Sequence, residues 1–213
     1  MQFFTFALMA LLQTTVPAPQ SDSATFDIAT RVADAAGAKV WPSVKRVAFT
    51  FNVHDNGKPV VTRHHDWNVR AHTGTVTVEG ETAAYDLNNP AQSPAAFQQW
   101  TNDTYWLLMP LKITDAGVNF TPATTTRDTP PSRANFTMRF NNVGLTPGDA
   151  YDLSVDLQTH RVTHWVYRPN ATKAVGFTWE NYQDFNGLAL STEHKTDDGK
   201  RRIFFTDVII ERD

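Results

Sequence analysis

The chain has 213 residues, a formal net charge of −3 and no cysteine. A domain of this length buries enough surface to fold without a metal or a disulfide. The absence of cysteine excludes disulfides, thiolate nucleophiles and thiolate zinc sites, and without a cluster of Lys and Arg we expect no nucleic-acid partner. Aromatic residues make up 12% of the chain, and they either fill a thick core or line a cavity for an apolar ligand.

The N-terminal residues predict an export signal. Residues 3–16 are mostly apolar but too few to span a bilayer, and the small, polar residues 17–23 suit a cleavage zone. The alternative is a buried N-terminal strand or helix, because no Lys or Arg precedes the apolar run. We predict a signal peptide over residues 1–20, one domain over residues 21–213, and a periplasmic or secreted location with no membrane-spanning segment after signal removal.

The next part of the chain predicts a short helix followed by a β-meander. Apolar residues recur at helical spacing over 26–36, starting at Phe26, and Gly37 can end that helix. From Val44 the apolar period changes to two, and Asn56-Gly57 is a strong hairpin signal. Further strands are predicted at 60–69, 70–78 and 82–87, with a turn at Gly80 and the residue after it.

A helix is predicted to interrupt the meander. Ser93 suits an N-cap and Pro94 the first helical position. The helix is expected to run to Met109 and to stop before Pro110. It is the most hydrophobic internal stretch, and we expect it to lie against the concave face of the sheet, either as a core helix or as one wall of a ligand cavity.

The rest of the chain predicts a loop and a second meander. Residues 115–133, rich in Thr and Pro, favour a loop. Strands are expected at 136–140, around 151–155, at 162–167, 174–182, 188–195 and 202–210, which brings the total to nine or ten. Their spacing is typical of all-β and curved-sheet folds.

The chemical motifs point away from catalysis. The histidines His54, His64, His65 and His72 lie close in sequence, but His64 and His65 would point to opposite faces of a strand, so we predict solvent-facing residues, no metal site and no cofactor. Gly-x-Ser-x-Gly, His-Glu-x-x-His and a Gly-rich phosphate loop are all absent from the sequence. We predict that the protein is not an enzyme, and a hydrolase using His64, Asp66 and His72 ranks last among the alternatives.

One predicted hairpin of the second meander has a distinctive sequence. Its residues are Tyr151-Asp152-Leu153-Ser154-Val155-Asp156, followed by Thr159, Arg161-Val162, Trp165, Val166 and Tyr167. This pattern resembles the strand-turn-strand unit of the bacterial outer-membrane lipoprotein-carrier (LolA/LolB-like) superfamily, and residues 103–112 resemble a segment of its uncharacterised secreted branch. The resemblance implies an α+β fold in which a strongly curved antiparallel β-sheet, a half-barrel, wraps around a few helices and encloses an apolar cavity. In that superfamily the cavity holds acyl chains, although this chain lacks the lipobox cysteine of the membrane-anchored branch.

The function predicted from these features is the binding of a lipid-like or other apolar small molecule in the concave face of the sheet. The alternative is an envelope module whose sheet edge recruits a protein partner without a small ligand. A packed interior favours the module, whereas a continuous apolar cavity of a few hundred Å³ favours the carrier. The predicted ligand-lining residues are Phe49, Phe51, Trp67, Phe97, Trp100, Tyr105, Trp106, Leu108, Trp165 and Phe177.

Overall fold

The computed structural model describes residues 23–123, 130–140, 148–170 and 172–213, so the predicted signal peptide lies outside the described residues. Helix α1 spans Ser23–Ala36 and helix α2 spans Pro94–Lys112. The strands are β1 (Val44–Asp55), β2 (Lys58–Asn68), β3 (Thr73–Val78), β4 (Glu81–Asp86), β5 (Val118–Pro122), β6 (Arg133–Phe140), β7 (Ala150–Asp156), β8 (Arg161–Asn170), β9 (Lys173–Thr178), β10 (Glu180–Phe185), β11 (Leu188–Lys195) and β12 (Arg201–Arg212).

All of the strands pair antiparallel, in two sheets. One sheet has the order β10-β11-β12-β1-β2-β3-β4 and the other the order β5-β6-β7-β8-β9. The chain changes sheets at Trp179, whose N–H donates to the Thr163 carbonyl at 2.9 Å, and a bridge from Phe177 to Thr196 joins the sheets at the same bend. Among the described strands, edge strands β4 and β5 do not pair, so the sheets form an open, curved half-barrel around the helices. The predicted α+β half-barrel is confirmed.

Helix α1 follows the predicted spacing for most of its length. Ala29, Val32 and Ala33 are buried in the core. Gly37 ends the helix with a φ of +101°, and a Cβ there would lie 2.5 Å from the Gly187 carbonyl oxygen. Phe26 was assigned to the apolar face, but it is half exposed, and its neighbour Thr25 is the buried residue of the first turn.

The first meander matches the predicted hairpins with small shifts. Asn56 and Gly57 both have positive φ, at 49° and 77°, as a two-residue primed turn requires. The turn between β3 and β4 lies one residue earlier than predicted, since the positive φ values fall on Glu79 and Gly80. Strand β3 begins at Thr73 rather than at residue 70, because the preceding residues form the turn from β2.

The prediction that α2 stops before Pro110 is wrong, since the helix continues to Lys112. A proline inside a helix removes one amide donor and crowds the carbonyl four residues earlier. Here that carbonyl belongs to Trp106, and it lies near the ring of the buried His194 without reaching hydrogen-bonding geometry. Complete burial of Leu107 and Met109 beside Pro110 holds the last turn in place.

The second meander contains two more strands than were expected. Strand β5 lies inside the predicted loop 115–133, of which residues 124–129 fall outside the described residues. The predicted single strand 174–182 divides at Trp179 into β9 and β10, which belong to different sheets. No helix in the described residues is long and apolar enough to cross a membrane.

Candidate functional site

Aromatic side chains of α2 meet the concave face in two groups. The first, which we call the indole cluster, consists of Trp41, Trp67, Tyr85, Phe97 and Trp100. Trp100 lies at its centre, with ring centroids 5.1 Å from Trp67 and 6.0 Å from both Tyr85 and Phe97. Trp41 completes the group, 5.9 Å from Trp67.

The second group, which we call the inner cluster, lies further along α2. Trp106 occupies its centre, with ring centroids 4.6 Å from Trp165, 4.8 Å from Phe177 and 5.3 Å from His194. Burial lowers the pKa of His194 to about 3 despite the nearby Thr178 and Trp106 carbonyls, so the ring is neutral at pH 7. The members of the inner cluster are Tyr105, Trp106, Trp165, Phe177, Trp179 and His194.

A cavity of about 100 Å³ lies beside the indole cluster, and we call it the indole cavity. Its helical wall comes from one face of α2, because its α2 residues follow at successive spacings of four, four, three and one along the helix. Lys112 and Asp115 are its exposed members, and they form an ion pair at 2.7 Å. The lining residues are Trp41, Trp67, Trp100, Thr104, Leu108, Leu111, Lys112 and Asp115.

Two indole donors in these walls have no partner. The Nε1 atoms of Trp67 and Trp100 are shielded from solvent and make no hydrogen bond. The Thr104 hydroxyl, by contrast, donates to the Trp100 carbonyl at 2.6 Å. A buried donor without an acceptor costs about 1–3 kcal/mol.

The structure separates the ten predicted ligand-lining residues. Trp67, Trp100 and Leu108 line the indole cavity, and Phe97 stacks on Trp100 beside it. Phe49 and Phe51 pack on Phe205 deep in the core, each at 5.6 Å. The remaining four belong to the inner cluster: Tyr105, Trp106, Trp165 and Phe177.

Several residues of this region were not predicted from the sequence. Trp41 and Leu111 line the indole cavity. Trp41 lies in a short 3-10 turn between α1 and β1, where no periodic pattern singles it out. Leu111 follows Pro110, beyond the predicted end of α2. Because the helix was predicted to stop too early, Leu111 was not assigned to the wall of the cavity.

A buried charged group links α2 to the sheet, and it was missed as well. Asp103 is fully buried and accepts hydrogen bonds from Arg63 Nε at 2.7 Å, from Arg63 Nη2 at 2.6 Å and from His65 Nε2 at 2.8 Å. The Arg63 guanidinium also lies 5.1 Å from the Phe51 ring centroid. The alternation of β2 contains a signal for this group, because Arg63 and His65 occupy the same face as the buried Trp67.

The four clustered histidines do not converge. His65 is buried against Asp103, whereas His64 contacts the Thr50 hydroxyl at 3.2 Å on the opposite face. His54 packs edge-on against Phe204, and His72 lies exposed in the turn before β3. In the part of the chain that the structure describes, no group of three or more His, Asp or Glu side chains could hold a metal ion.

The residues of the hydrolase alternative do not form a site either. The Asp66 carboxylate is held by Arg46 through contacts of 2.7 and 2.9 Å. The hydrogen bond from Arg46 lowers the pKa of Asp66 below its usual range, so this carboxylate is a poor general base. His64 lies opposite Thr77 in the sheet, whereas His72 precedes the first residue of β3.

Comparisons with known proteins identify the fold. No family model matches the chain, and neither does any curated protein. Three solved structures are similar over most of it. A DUF1329 family protein from Desulfovibrio piger is 8% identical, with 88% of this chain and 92% of that chain covered and a TM-score of 0.49. A LolA superfamily protein from Nitrosomonas europaea is 7% identical, with 86% of this chain and 93% of that chain covered and a TM-score of 0.48.

The third structure is an outer membrane lipoprotein-sorting protein domain from Vibrio parahaemolyticus. It is 9% identical, with 87% of this chain and 91% of that chain covered and a TM-score of 0.50. At this identity the likeness shows the fold. The chain therefore has the curved-sheet fold of an outer-membrane lipoprotein-sorting domain, as the Tyr151–Tyr167 hairpin predicted.

Proposed function

We propose that the chain is an exported envelope protein that binds a lipid-like or other apolar ligand between α2 and the concave face of the sheet. The observation that carries this proposal is the indole cavity, an apolar space with three tryptophan walls beside an exposed ion pair. Ligand sites are concave and mostly apolar, with a few polar groups that orient the ligand. Lys112 and Asp115 supply such groups at the exposed side of the cavity.

The size of the cavity determines how such a ligand would bind. A volume of about 100 Å³ is below the roughly 300–1,000 Å³ of a typical ligand pocket, so the cavity accommodates only the first carbons of a chain. A longer chain requires rearrangement of the aromatic side chains between α2 and the sheet. The inner cluster would then extend the apolar wall, and each buried methylene would contribute about 0.8 kcal/mol.

The chemistry of the lining supports binding rather than catalysis. Thr104 carries the one hydroxyl among the described lining residues, and its hydrogen bond to the Trp100 carbonyl occupies its proton. Neither His65 nor His194 lines the cavity. A general base would need to lie within hydrogen-bonding reach of its substrate, and the one carboxylate of the described lining, Asp115, is held in the ion pair with Lys112.

A second candidate function is an envelope interaction module without a small ligand. The tight packing of the inner cluster favours it, because Trp165 is 1% exposed and Phe177 5% exposed. The partner would then add a strand to edge strand β4 or β5, whose outer backbone groups have no neighbouring strand among the described residues.

Native mass spectrometry of the protein, purified from an envelope fraction without detergent, separates these two candidates. The carrier function predicts added mass that organic extraction removes, followed by uptake of a fluorescent fatty acid in one-to-one ratio. Protein that is always empty and takes up no fatty acid would refute the carrier. Retention of one envelope protein by the same empty sample would support the module.

A further inference from the structure

The walls of the indole cavity are dominated by aromatic rings. Three of its eight described lining residues are tryptophans, Trp41, Trp67 and Trp100. Their ring planes are tilted relative to one another, by 75° between Trp67 and Trp100 and by 43° between Trp41 and Trp67. Rings in three orientations therefore line one small space, as in the aromatic cages that bind quaternary ammonium groups.

Two of these rings present only carbon atoms to the cavity. The Nε1 atoms of Trp67 and Trp100 are shielded from any probe the size of water, so neither indole N–H points into the space. The face of an aromatic ring is electrostatically negative and attracts cations. A quaternary ammonium group has an apolar surface of methyl groups and no N–H to donate. It therefore needs no acceptor in the wall and suits a lining of indole carbon atoms.

Negative charge lies at the exposed side of the cavity. Asp115 contributes a carboxylate, and its side chain is about half exposed. Leu111 and Lys112 belong to the last turn of α2, so the cavity also lies beside the carboxyl end of that helix. The carboxyl end of a helix carries a partial negative charge. Both features favour a bound cation over a bound anion.

Lys112 is the one cationic side chain among the described lining residues, and its ammonium group is already paired. Its Nζ atom lies 2.7 Å from Asp115 Oδ2. A carboxylate has two oxygens and about four acceptor positions, so Asp115 can attract a second cation while it keeps Lys112. The lysine then competes with the ligand for the same carboxylate, and its removal should strengthen the binding of a cation.

We infer that the ligand is an amphiphile with a quaternary ammonium head. The ammonium group lies at the exposed side of the indole cavity, near Asp115 and against the tryptophan walls, and the first carbons of its chain extend inward beside Leu108. This inference rests on the proposed function, because it assigns the head group of the ligand in the same cavity.

The test compares octyltrimethylammonium, octanol and octanoate, whose chains have the same number of carbon atoms, by calorimetric titration of the full chain below any micelle concentration. Octanol measures the contribution of the chain without a charge. We expect octyltrimethylammonium to bind about threefold to tenfold more tightly than octanol, the effect of one cation–π contact. Octanoate should bind no more tightly than octanol, because Asp115 and the end of α2 repel its carboxylate.

Two substitutions at the exposed ion pair should act in opposite directions. Lys112→Gln should tighten the binding of octyltrimethylammonium by about threefold and Asp115→Asn should weaken it by about the same factor, as expected for one partly exposed charge. Neither should change the affinity for octanol. Asp34→Asn is the matched control, because it breaks the exposed Asp34–Lys39 pair away from the cavity, and it should leave all affinities unchanged.

Trp41→Leu tests the aromatic wall, because it keeps an apolar side chain and removes a ring. It should weaken the binding of octyltrimethylammonium by about threefold to tenfold more than that of octanol. Equal or tighter binding of octanol or octanoate, or an unchanged ammonium affinity in Asp115→Asn, would overturn the assignment of the head group while leaving an apolar carrier in place. If none of the three amphiphiles binds, both this inference and the proposed function fail.

Discussion

The Asp103 carboxylate on α2 accepts two hydrogen bonds from the Arg63 guanidinium on β2, at 2.7 and 2.6 Å. The Asp103 side chain is fully buried and that of Arg63 is 18% exposed. Two charges in such a place stabilise a fold only as a pair, because each has lost most of its water. This pair therefore fixes α2 against the concave face, beside the residues that we propose for the ligand.

Removing one partner should be costly. We predict that Asp103→Asn lowers the free energy of unfolding by about 3 kcal/mol, because it leaves Arg63 buried without a counter-charge. Urea unfolding at pH 7 measures this change. Asp27→Asn is the control, since the Asp27–Arg31 pair is well exposed and should contribute less than about 0.5 kcal/mol. Equal losses in the two variants would contradict the role given to Asp103.

His194 should make stability depend on pH. In the folded protein burial lowers its pKa to about 3, whereas in the unfolded chain an ordinary histidine titrates near pH 6.5. Between these values the unfolded state binds the extra proton, so stability should fall as the pH decreases from about 6.5 towards 3, with a slope approaching about 1.4 kcal/mol per pH unit.

Replacing this ring isolates its contribution. His194→Phe should flatten the decline in stability between pH 6.5 and 5, measured by urea unfolding at several pH values. The exposed His72 provides the control. His72→Asn should fold normally, because Asn tolerates the positive φ of 58° there, and it should retain the wild-type dependence of stability on pH. A His194→Phe slope equal to that of the wild type would show that His194 titrates normally in the folded protein.

Gly37 should be far less replaceable than Gly57, although both have positive φ. Gly57→Ala should cost about 1–2 kcal/mol, the left-handed penalty alone, because no atom lies within 4 Å of its missing Cβ. Gly37→Ala should cost at least twice as much, since its Cβ would also meet the Gly187 carbonyl oxygen at 2.5 Å. The urea midpoints of the two variants measure these losses of stability. Equal midpoints would contradict the close approach of Gly37 to the Gly187 carbonyl at the end of α1.

Filling the indole cavity should block the ligand. Leu111→Phe adds carbon atoms to a space of about 100 Å³ and should weaken fatty-acid binding by about tenfold, the contribution of two methylenes at about 0.8 kcal/mol each. Leu157→Phe makes the same change at an exposed position in the turn after β7 and should leave the affinity unaltered. Titration with a fluorescent fatty acid compares the affinities of the two variants. Identical affinities would show that the indole cavity is not part of the binding site.

The sequence was most informative where structure is set by neighbouring residues. Helical spacing located most of α1, and Asn56-Gly57 located the first hairpin, because both depend on local backbone preferences. Tertiary packing decided the rest. Pro110 remains helical because its neighbours are buried, and Trp179 ends one strand and starts another because the two sheets meet there.

The candidate site was predictable in part for the same reason. Trp100 and Leu108 could be assigned to one face of a helix by their spacing. Trp41 lies far away in sequence and joins them only after the chain folds. The pairing of Arg63 with Asp103 spans 40 residues, and no local pattern indicates which acid would meet the arginine on the apolar face of β2.

The most direct test of ligand binding between α2 and the sheet is tryptophan quenching by a brominated fatty acid, with the unbrominated compound as the reference. Bromine quenches indoles that it contacts, so we expect strong quenching that saturates at one ligand per protein and that decreases in Trp100→Phe. Equal fluorescence with the two compounds would mean that the chain never reaches the tryptophans, and it would contradict the proposed site.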